Sequence, residues 1–192
     1  MITPDPRESI LDAAEQLYYA KGYAAVGMDE LRTAAGVSLK RVYALFPSKN
    51  DIIAAGLDRK HHVWERMLDD VVSAAGDDPR ARLMAVYSFL EGWFCADDFR
   101  GCAFINAFGE LGGTTPEIAR IVREHKASFQ QYMADLVASL GGPASLAAQL
   151  SILAEGAQST AAIAGDPAAA VHAREAAPVL IDVAVGAGAS VG

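Results

Sequence analysis

Apolar residues return every three or four positions along nearly the whole chain, the spacing that lines one face of an α-helix. Ile10, Leu11, Ala14, Leu17 and Tyr18 make the first such face and predict a helix over 7–20. Lys21-Gly22 ends it, with Gly22 as a left-handed stop. Two short helices are predicted next, Met28–Ala35 with Gly27 as its N-cap and Leu39–Phe46. Gly36-Val37-Ser38 breaks them. Gly36 tolerates positive φ without a Cβ clash, and Ser38 can accept bonds from the first N–H groups of the helix that follows. Leu31, Ala34, Ala35, Val37, Val42, Leu45 and Phe46 read as the apolar inside of this pair, leaving Arg32, Leu39, Lys40, Arg41 and Tyr43 on or near the outside.

Ser48 places a capping hydroxyl before the acidic first turn of a fourth helix. Ile52, Ile53, Leu57, Val63, Trp64, Met67, Leu68 and Val71 carry that helix to about Ala75, well beyond the usual length of about 11–12 residues. Gly76-Asp77-Asp78-Pro79 stops it and starts another over 80–96 by an Asp cap and a proline in the first turn. A short apolar helix follows over 102–111, closed by Gly112-Gly113. Thr114 or Thr115 then caps a helix that begins at Pro116 and runs to Leu140. Gly141-Gly142-Pro143 precedes an alanine-rich helix over 144–164. Gly165-Asp166-Pro167 precedes a second, over about 168–187. Met1–Pro6 reads as a loose tail and the stretch from Gly186 as a frayed one. No strand-like alternation or internal repeat is visible. The expected fold is all-α, about nine helices, with residues 1–50 as one domain and 51–192 as a second, larger one.

A helix, a glycine-containing turn and a second helix with basic residues in its first turn match a DNA-reading helix-turn-helix. The net charge of −8 does not suggest a nucleic-acid partner, but its distribution fits one. Residues 1–60 hold eight Lys/Arg and eight Asp/Glu, so they balance; residues 61–192 hold eight against sixteen and supply the whole excess. The first segment is therefore the one less repelled by phosphate, and the acidic remainder can orient the molecule on DNA. Hydrophobic residues make up 52% of the chain, enough for a sizeable core. The longest apolar runs are broken by charge or glycine short of a membrane span, and no signal peptide is visible. Two cysteines make no disulfide framework, so a cytoplasmic setting with both thiols reduced is expected.

The N-terminal fifty residues resemble the DNA-binding domain of the tetracycline-repressor (TetR-type) family. The resemblance rests on ILDAAEQLYYAKGY (Ile10–Tyr23), the start at Met28–Leu31, Ala35-Gly36-Val37-Ser38, and Val42-Tyr43-x-x-Phe46-Pro47-Ser48-Lys49. It covers about a quarter of the chain. It implies that Ser38–Leu45, with Ser38, Leu39, Lys40 and Arg41 leading, is the recognition helix in the major groove. It implies that Tyr43 meets the DNA backbone, that Lys49 contacts phosphate, that Phe46 is the core aromatic behind the helix, and that Gly36 makes the turn. Four positions depart from the family pattern. Arg32 stands where a small residue is usual. Lys40 and Arg41 replace a glycine and a small hydroxyl residue, and Leu45 replaces a second aromatic. The reading surface is thus more basic than usual, and operator preferences do not carry over. Arg41 fits guanine O6 and N7 bidentately or grips phosphate, and the sequence leaves both open.

One such domain buries too little surface for tight specific binding, so two half-sites and a dimer are expected. The alanine-rich helices over 144–164 and 168–187 can approach closely and offer a four-helix interface, and the resemblance also implies a homodimer through them. The resemblance further implies an effector site among the middle helices. Trp64, Met67, Tyr87, Trp93, Phe104, Phe108, His125, Phe129 and Tyr132 are its candidate lining, suited to a small, largely apolar molecule, with Asn106, Glu110, His125 and Gln158 as polar contacts. The expected partners are operator DNA, that effector and a second copy of the chain, with no membrane and no cofactor. Cys95 and Cys102 read as reduced packing thiols or a redox pair, and His61-His62 face different ways, which argues against a metal pair. No G-x-S-x-G, H-E-x-x-H, Walker or dinucleotide motif occurs, so no catalytic residue is assigned. The resulting expectation is a ligand-released repressor; the alternative is a helical ligand-binding protein or an all-α enzyme without specific DNA binding.

Overall fold

A computed structural model describes residues 5–189. The tail expected over Met1–Pro6 lies outside them up to residue 4, and the last three residues of the expected C-terminal tail lie outside them too. Among the described residues the chain forms nine α-helices: α1 (Pro6–Lys21), α2 (Met28–Ala34), α3 (Leu39–Leu45), α4 (Lys49–Ala74), α5 (Pro79–Phe94), α6 (Ala103–Leu111), α7 (Pro116–Ser139), α8 (Ala144–Ala164) and α9 (Ala168–Ala189). They gather into two compact units. One comprises residues 1–63 and 103–124, the other 64–102 and 125–192. These are groupings by contact.

The helix ends follow local chemistry. Asp5 caps α1 by accepting from the Arg7 N–H (3.0 Å), with Pro6 at the first helical position. Ser38 caps α3 by accepting from the Arg41 N–H (3.2 Å). Asp78 caps α5, taking the N–H groups of Arg80 and Ala81 at 3.2 Å each. Several expectations shift. Gly22 has φ 86° but ψ 162°, so it turns the chain into extended backbone rather than a left-handed helical stop. Of the two threonines before α7, Thr114 donates its hydroxyl back to the Leu111 carbonyl (3.3 Å), while Thr115 immediately precedes Pro116 and its carbonyl accepts from the Ala119 N–H (3.1 Å). α9 continues through Gly186 to Ala189, past the point where fraying was expected, and holds Pro178 within it. Pro178 has no N–H for the carbonyl one turn earlier.

In the first unit Ile10, Leu11, Ala14, Val26, Leu31, Val42, Phe46, Ile52, Ile53 and Leu57 are all buried. Arg59 of α4 bridges to three carboxylates on α1, Glu8 (3.0 Å), Asp12 (2.7 Å) and Glu15 (3.0 Å), and Lys60 adds a second bond to Glu15. In the second unit α8 packs on α9 through small side chains: Ala147, Ala154, Ala157 and Ala161 are buried, as are Ala170, Ala173 and Ala177. Tyr87 of α5 is buried among them and donates its hydroxyl to the Leu150 carbonyl (2.8 Å). Desolvation there pushes its ionisation well above the normal phenol value.

Candidate nucleic-acid interface

The turn between α2 and α3 forms as its residues dictate. Gly36 has φ 66°, which a side chain would strain, and the Val37 N–H donates to the Arg32 carbonyl (3.0 Å). α3 is only seven residues long, so its direction depends on what it buries. Val42 and Phe46 go inside and Leu45 is half-buried. Phe46 is the extended C-cap, not the last helical residue, and the Arg7 guanidinium lies 4.6 Å from its ring centre. Ala34, read as inside, is exposed, because α2 ends there and its Cβ faces outward.

The opposite face of α3 is left to solvent. Ser38, Lys40, Arg41 and Tyr43 are exposed, Tyr43 at 47%, and Leu39 is half-buried. Among the described residues no carboxylate pairs with Lys40 or Arg41. Arg32 points outward, as its replacement of a small residue requires, and pairs with Asp29 (2.8 Å). Lys49, the first residue of α4, is half-buried. Its ammonium bonds the Ala24 carbonyl (3.5 Å) and lies 5.8 Å from the Tyr18 ring centre. Partial burial lowers its proton affinity, with the charge of Glu110 working in the opposite direction. The arrangement is a short, uncovered cationic helix with a second cation at the foot of α4, the geometry that meets a polyanion groove.

Comparison with known proteins agrees. Residues 10–55 match the family model for bacterial regulatory proteins of the tetR family. A solved structure from Streptomyces avermitilis, described as a TetR transcriptional regulator, is 30% identical and superposes with a TM-score of 0.80, covering 94% of this chain and 98% of that one. This chain belongs to the TetR family. Among curated relatives, the Escherichia coli transcriptional repressor NemR is 28% identical over 56% of this chain and 54% of its own length. The transcriptional activator FasR of Mycolicibacterium smegmatis is 31% identical over 71% of this chain and 60% of its own. The match therefore spans just over half of each of those two relatives. As a TetR-family protein the chain is a helix-turn-helix transcriptional regulator.

The second unit of this TetR protein has a cleft of about 310 Å³ between α4 and α7, lined by Trp64, Glu65, Arg66, Leu68, Asp69, Ser128 and Tyr132. Of the nine expected lining residues, it takes Trp64 and Tyr132. His125 and Phe129 stand directly behind, meeting the Trp64 ring edge-on at 5.2 and 5.4 Å. The other five are not gathered there. Tyr87 is core, and Trp93 packs edge-on to Phe99 at 5.3 Å. Met67 is 50% exposed. Phe104 and Phe108 group with the first unit, where Phe104 is buried and Phe108 is 42% exposed under Arg123. Helical spacing gave each residue a face but not a neighbour.

The polar candidates divide as well. His125 and Gln158 are buried in the second unit, Asn106 is exposed, and Glu110 binds backbone in the first. The polar groups that do line the cleft are Glu65, which accepts from the Ser128 hydroxyl (2.6 Å), Arg66, Asp69 one turn after Glu65, and Ser128 itself, none of them among the expected contacts. A carboxylate pair four apart beside Trp64 was the available signal. Burial raises the Tyr132 ionisation, with the Asp69 charge adding to it. Cys95 is exposed and Cys102 buried, both free, and the Lys126 ammonium lies 3.8 Å from the Cys102 sulfur. On α4, His61, His62 and Glu65 offer three metal-ligand atoms within 4.8 Å of one another, closer than the adjacency of the histidines suggested, though Glu65 is already engaged by Ser128.

Proposed function

We propose that this regulator is a homodimeric, effector-released repressor, each copy placing α3 in one half-site of a palindromic operator. The observation that carries the reading is the outer face of α3: Lys40, Arg41 and Tyr43 exposed together on a helix held from behind by Val42 and Phe46. Ser38 and Leu39 enter the groove with Arg41 in the first turn, Tyr43 meets the backbone, and Lys49 reaches an adjacent phosphate.

The dimer is supported by α8 and α9. Glu155 is the single ionisable residue in α8, and it is turned inward to Lys126 (3.5 Å). The solvent side of α8 is therefore uncharged: Gln149, Ile152 (72% exposed), Gly156, Thr160 and Ile163 (88%). α9 adds Val179 and Val183, both exposed. An uncharged helix face of this extent is the core of an interface, and its small residues let a second copy approach. The effector site is the α4–α7 cleft, whose volume is at the small end of ligand pockets. Its lining favours an amphipathic molecule, aromatic against Trp64 and Tyr132 and hydrogen-bonding at Asp69 and Ser128, rather than a purely apolar one. α4 carries Lys49 at its start and Trp64 and Leu68 in the cleft, so a ligand with unequal affinity for two positions of α4 shifts DNA binding. The protein works where the chromosome is, in the cytoplasm, and no described helix is long and apolar enough to cross a membrane.

The test is binding to the DNA upstream of the protein's own gene at several salt concentrations, for wild type and the Tyr43→Ala/Lys49→Ala double variant. The expected result is binding well above random DNA, a steep salt slope, and loss of both in the variant. Equal, weak binding by both proteins would return the reading to a helical ligand-binding protein.

A further inference from the structure

Glu110 stands on the last turn of α6, 87 and 86 residues from Tyr23 and Ala24, yet it is bonded to their backbone. Its Oε1 accepts from the Tyr23 N–H (3.1 Å) and its Oε2 from the Ala24 N–H (2.8 Å), in the link between α1 and α2. Ala24 in turn offers its carbonyl to the Lys49 ammonium (3.5 Å). At the other end of α6, the Ala103 carbonyl accepts from the buried Tyr23 hydroxyl (3.1 Å), so one helix holds Tyr23 by both its backbone and its ring. Gly22 makes room for the carboxylate: a Cβ there would come within 3.0 Å of Oε1, on a backbone at φ 86°. All of these residues belong to the same compact unit.

We propose that Glu110 is a positioning residue for DNA binding: by fixing the Ala24 backbone it holds the Lys49 ammonium where it meets a phosphate. The DNA-reading head is then completed by α6, outside the segment 10–55 that matches the family model. This rests on the reading of Lys49 as a phosphate contact. Two adjacent N–H donors aimed the same way need an acceptor with two free oxygens. A carboxylate supplies both with charge assistance. A glutamine supplies one oxygen and turns an NH₂ toward the other donor, leaving that N–H unpaired. Glu110 also attracts Lys49 through space and so competes with phosphate for it. Both of its oxygens are taken by backbone, however, while Lys49 itself bonds Ala24, so the route through Ala24 dominates.

The experiment uses the full chain and a labelled duplex recovered by the wild-type protein from a random-sequence library. Affinity and its salt slope are measured for Lys49→Ala, Glu110→Gln, Glu110→Ala and Lys49→Ala/Glu110→Gln, with thermal unfolding of each. Lys49→Ala is expected to weaken binding about tenfold and to lower the salt slope by about one. Glu110→Gln is expected to move affinity and slope the same way, about three- to tenfold, and to add nothing in the Lys49→Ala background. A purely structural role would lower the unfolding temperature and leave the slope alone. If Glu110→Ala does not fold, the glutamine variant still decides. Glu110→Gln with wild-type or tighter binding, or with a loss additive to that of Lys49→Ala, overturns the proposal while Lys49 stands. An unchanged Lys49→Ala overturns the reading of Lys49 and the proposal with it.

Discussion

Ser48 and Asp51 bond each other in both directions at the start of α4. The Ser48 hydroxyl and N–H both donate to Asp51 Oδ2, at 2.6 and 2.8 Å, and the Asp51 N–H donates back to Ser48 Oγ at 3.3 Å. This reciprocal cap fixes where α4 begins and therefore where Lys49 stands. Ser48→Ala is expected to cost about 1 kcal/mol. In a chain of this size that is a loss of about 2–4 °C in unfolding temperature, read by calorimetry. Asp51→Ala should cost a similar amount, and the double variant less than the sum, since each breaks the same pair of bonds.

The Arg59 cluster predicts a pH dependence. Burial works to raise the Glu15 carboxyl, but bonds and charges from Lys60 and Arg59 outweigh it, and the net shift is downward from 4.5. A carboxyl lowered by folding contributes stability above its unfolded value and loses it as pH falls through the lower, folded one. The contribution is thus complete at neutral pH and fades below about 4.5. Glu15→Gln should be less stable than wild type at pH 7, by under about 1 kcal/mol since the pair is partly exposed. Urea titrations should show the two curves converging as the pH is lowered below that value. A constant gap down to strongly acid pH would mean that Glu15 contributes through packing and not through charge.

These two features stand on either side of what is legible in the sequence. Ser48, Asp78-Pro79 and Ser38 act within three residues of themselves, so their type and spacing announced the helix starts. Val42 and Phe46 were legible because one face of a short helix must be buried. The Arg59 cluster and the Glu110 clasp were not, because their partners lie 44 to 87 residues away. Periodicity says that a residue faces inward, but not which element it will face. The same limit scattered the expected ligand lining: Met67 and Phe108 keep helical spacing yet finish on the surface.

Arg41 has its own test. It stands in the first turn of α3, the part of a recognition helix that reaches base edges, and it is exposed, with no carboxylate partner among the described residues. Arg41→Ala is therefore expected to relax selectivity at one base pair of each half-site, losing about 1–3 kcal/mol of discrimination there. Affinity across a panel of single-base operator variants reads this directly. A loss spread evenly over every variant, with a shallower salt slope, would assign Arg41 to phosphate instead.

The cleft between α4 and α7 predicts a separable phenotype. Ser128→Leu fills it and removes the hydroxyl that holds Glu65, at a site that touches none of the candidate DNA contacts. In a reporter strain the variant should still repress and should no longer be released by a compound that releases wild type. Trp64 lines the cleft, so the same compound should quench wild-type tryptophan emission and leave the variant unchanged. Release and quenching both intact in Ser128→Leu would move the effector site elsewhere in the second unit.

The outer face of α8 predicts that operator binding depends on a second copy of the chain. Ile163 is almost fully exposed in a single chain, so an aspartate there costs the fold of one copy little. In a dimer it would place a charge in an apolar contact with no partner, at a cost of several kcal/mol. Ile163→Asp and Ile152→Asp are accordingly expected to unfold at nearly the wild-type temperature at high dilution yet to sediment as monomers where wild type sediments as a dimer. A monomer carries one α3, and one half-site supplies only part of the specific contacts. Operator affinity should then fall by orders of magnitude, while weak binding to non-specific DNA, which needs only Lys40, Arg41 and Lys49, persists. A monomeric variant that kept wild-type operator affinity would show that one head reads the whole site and that the uncharged face of α8 serves some other contact.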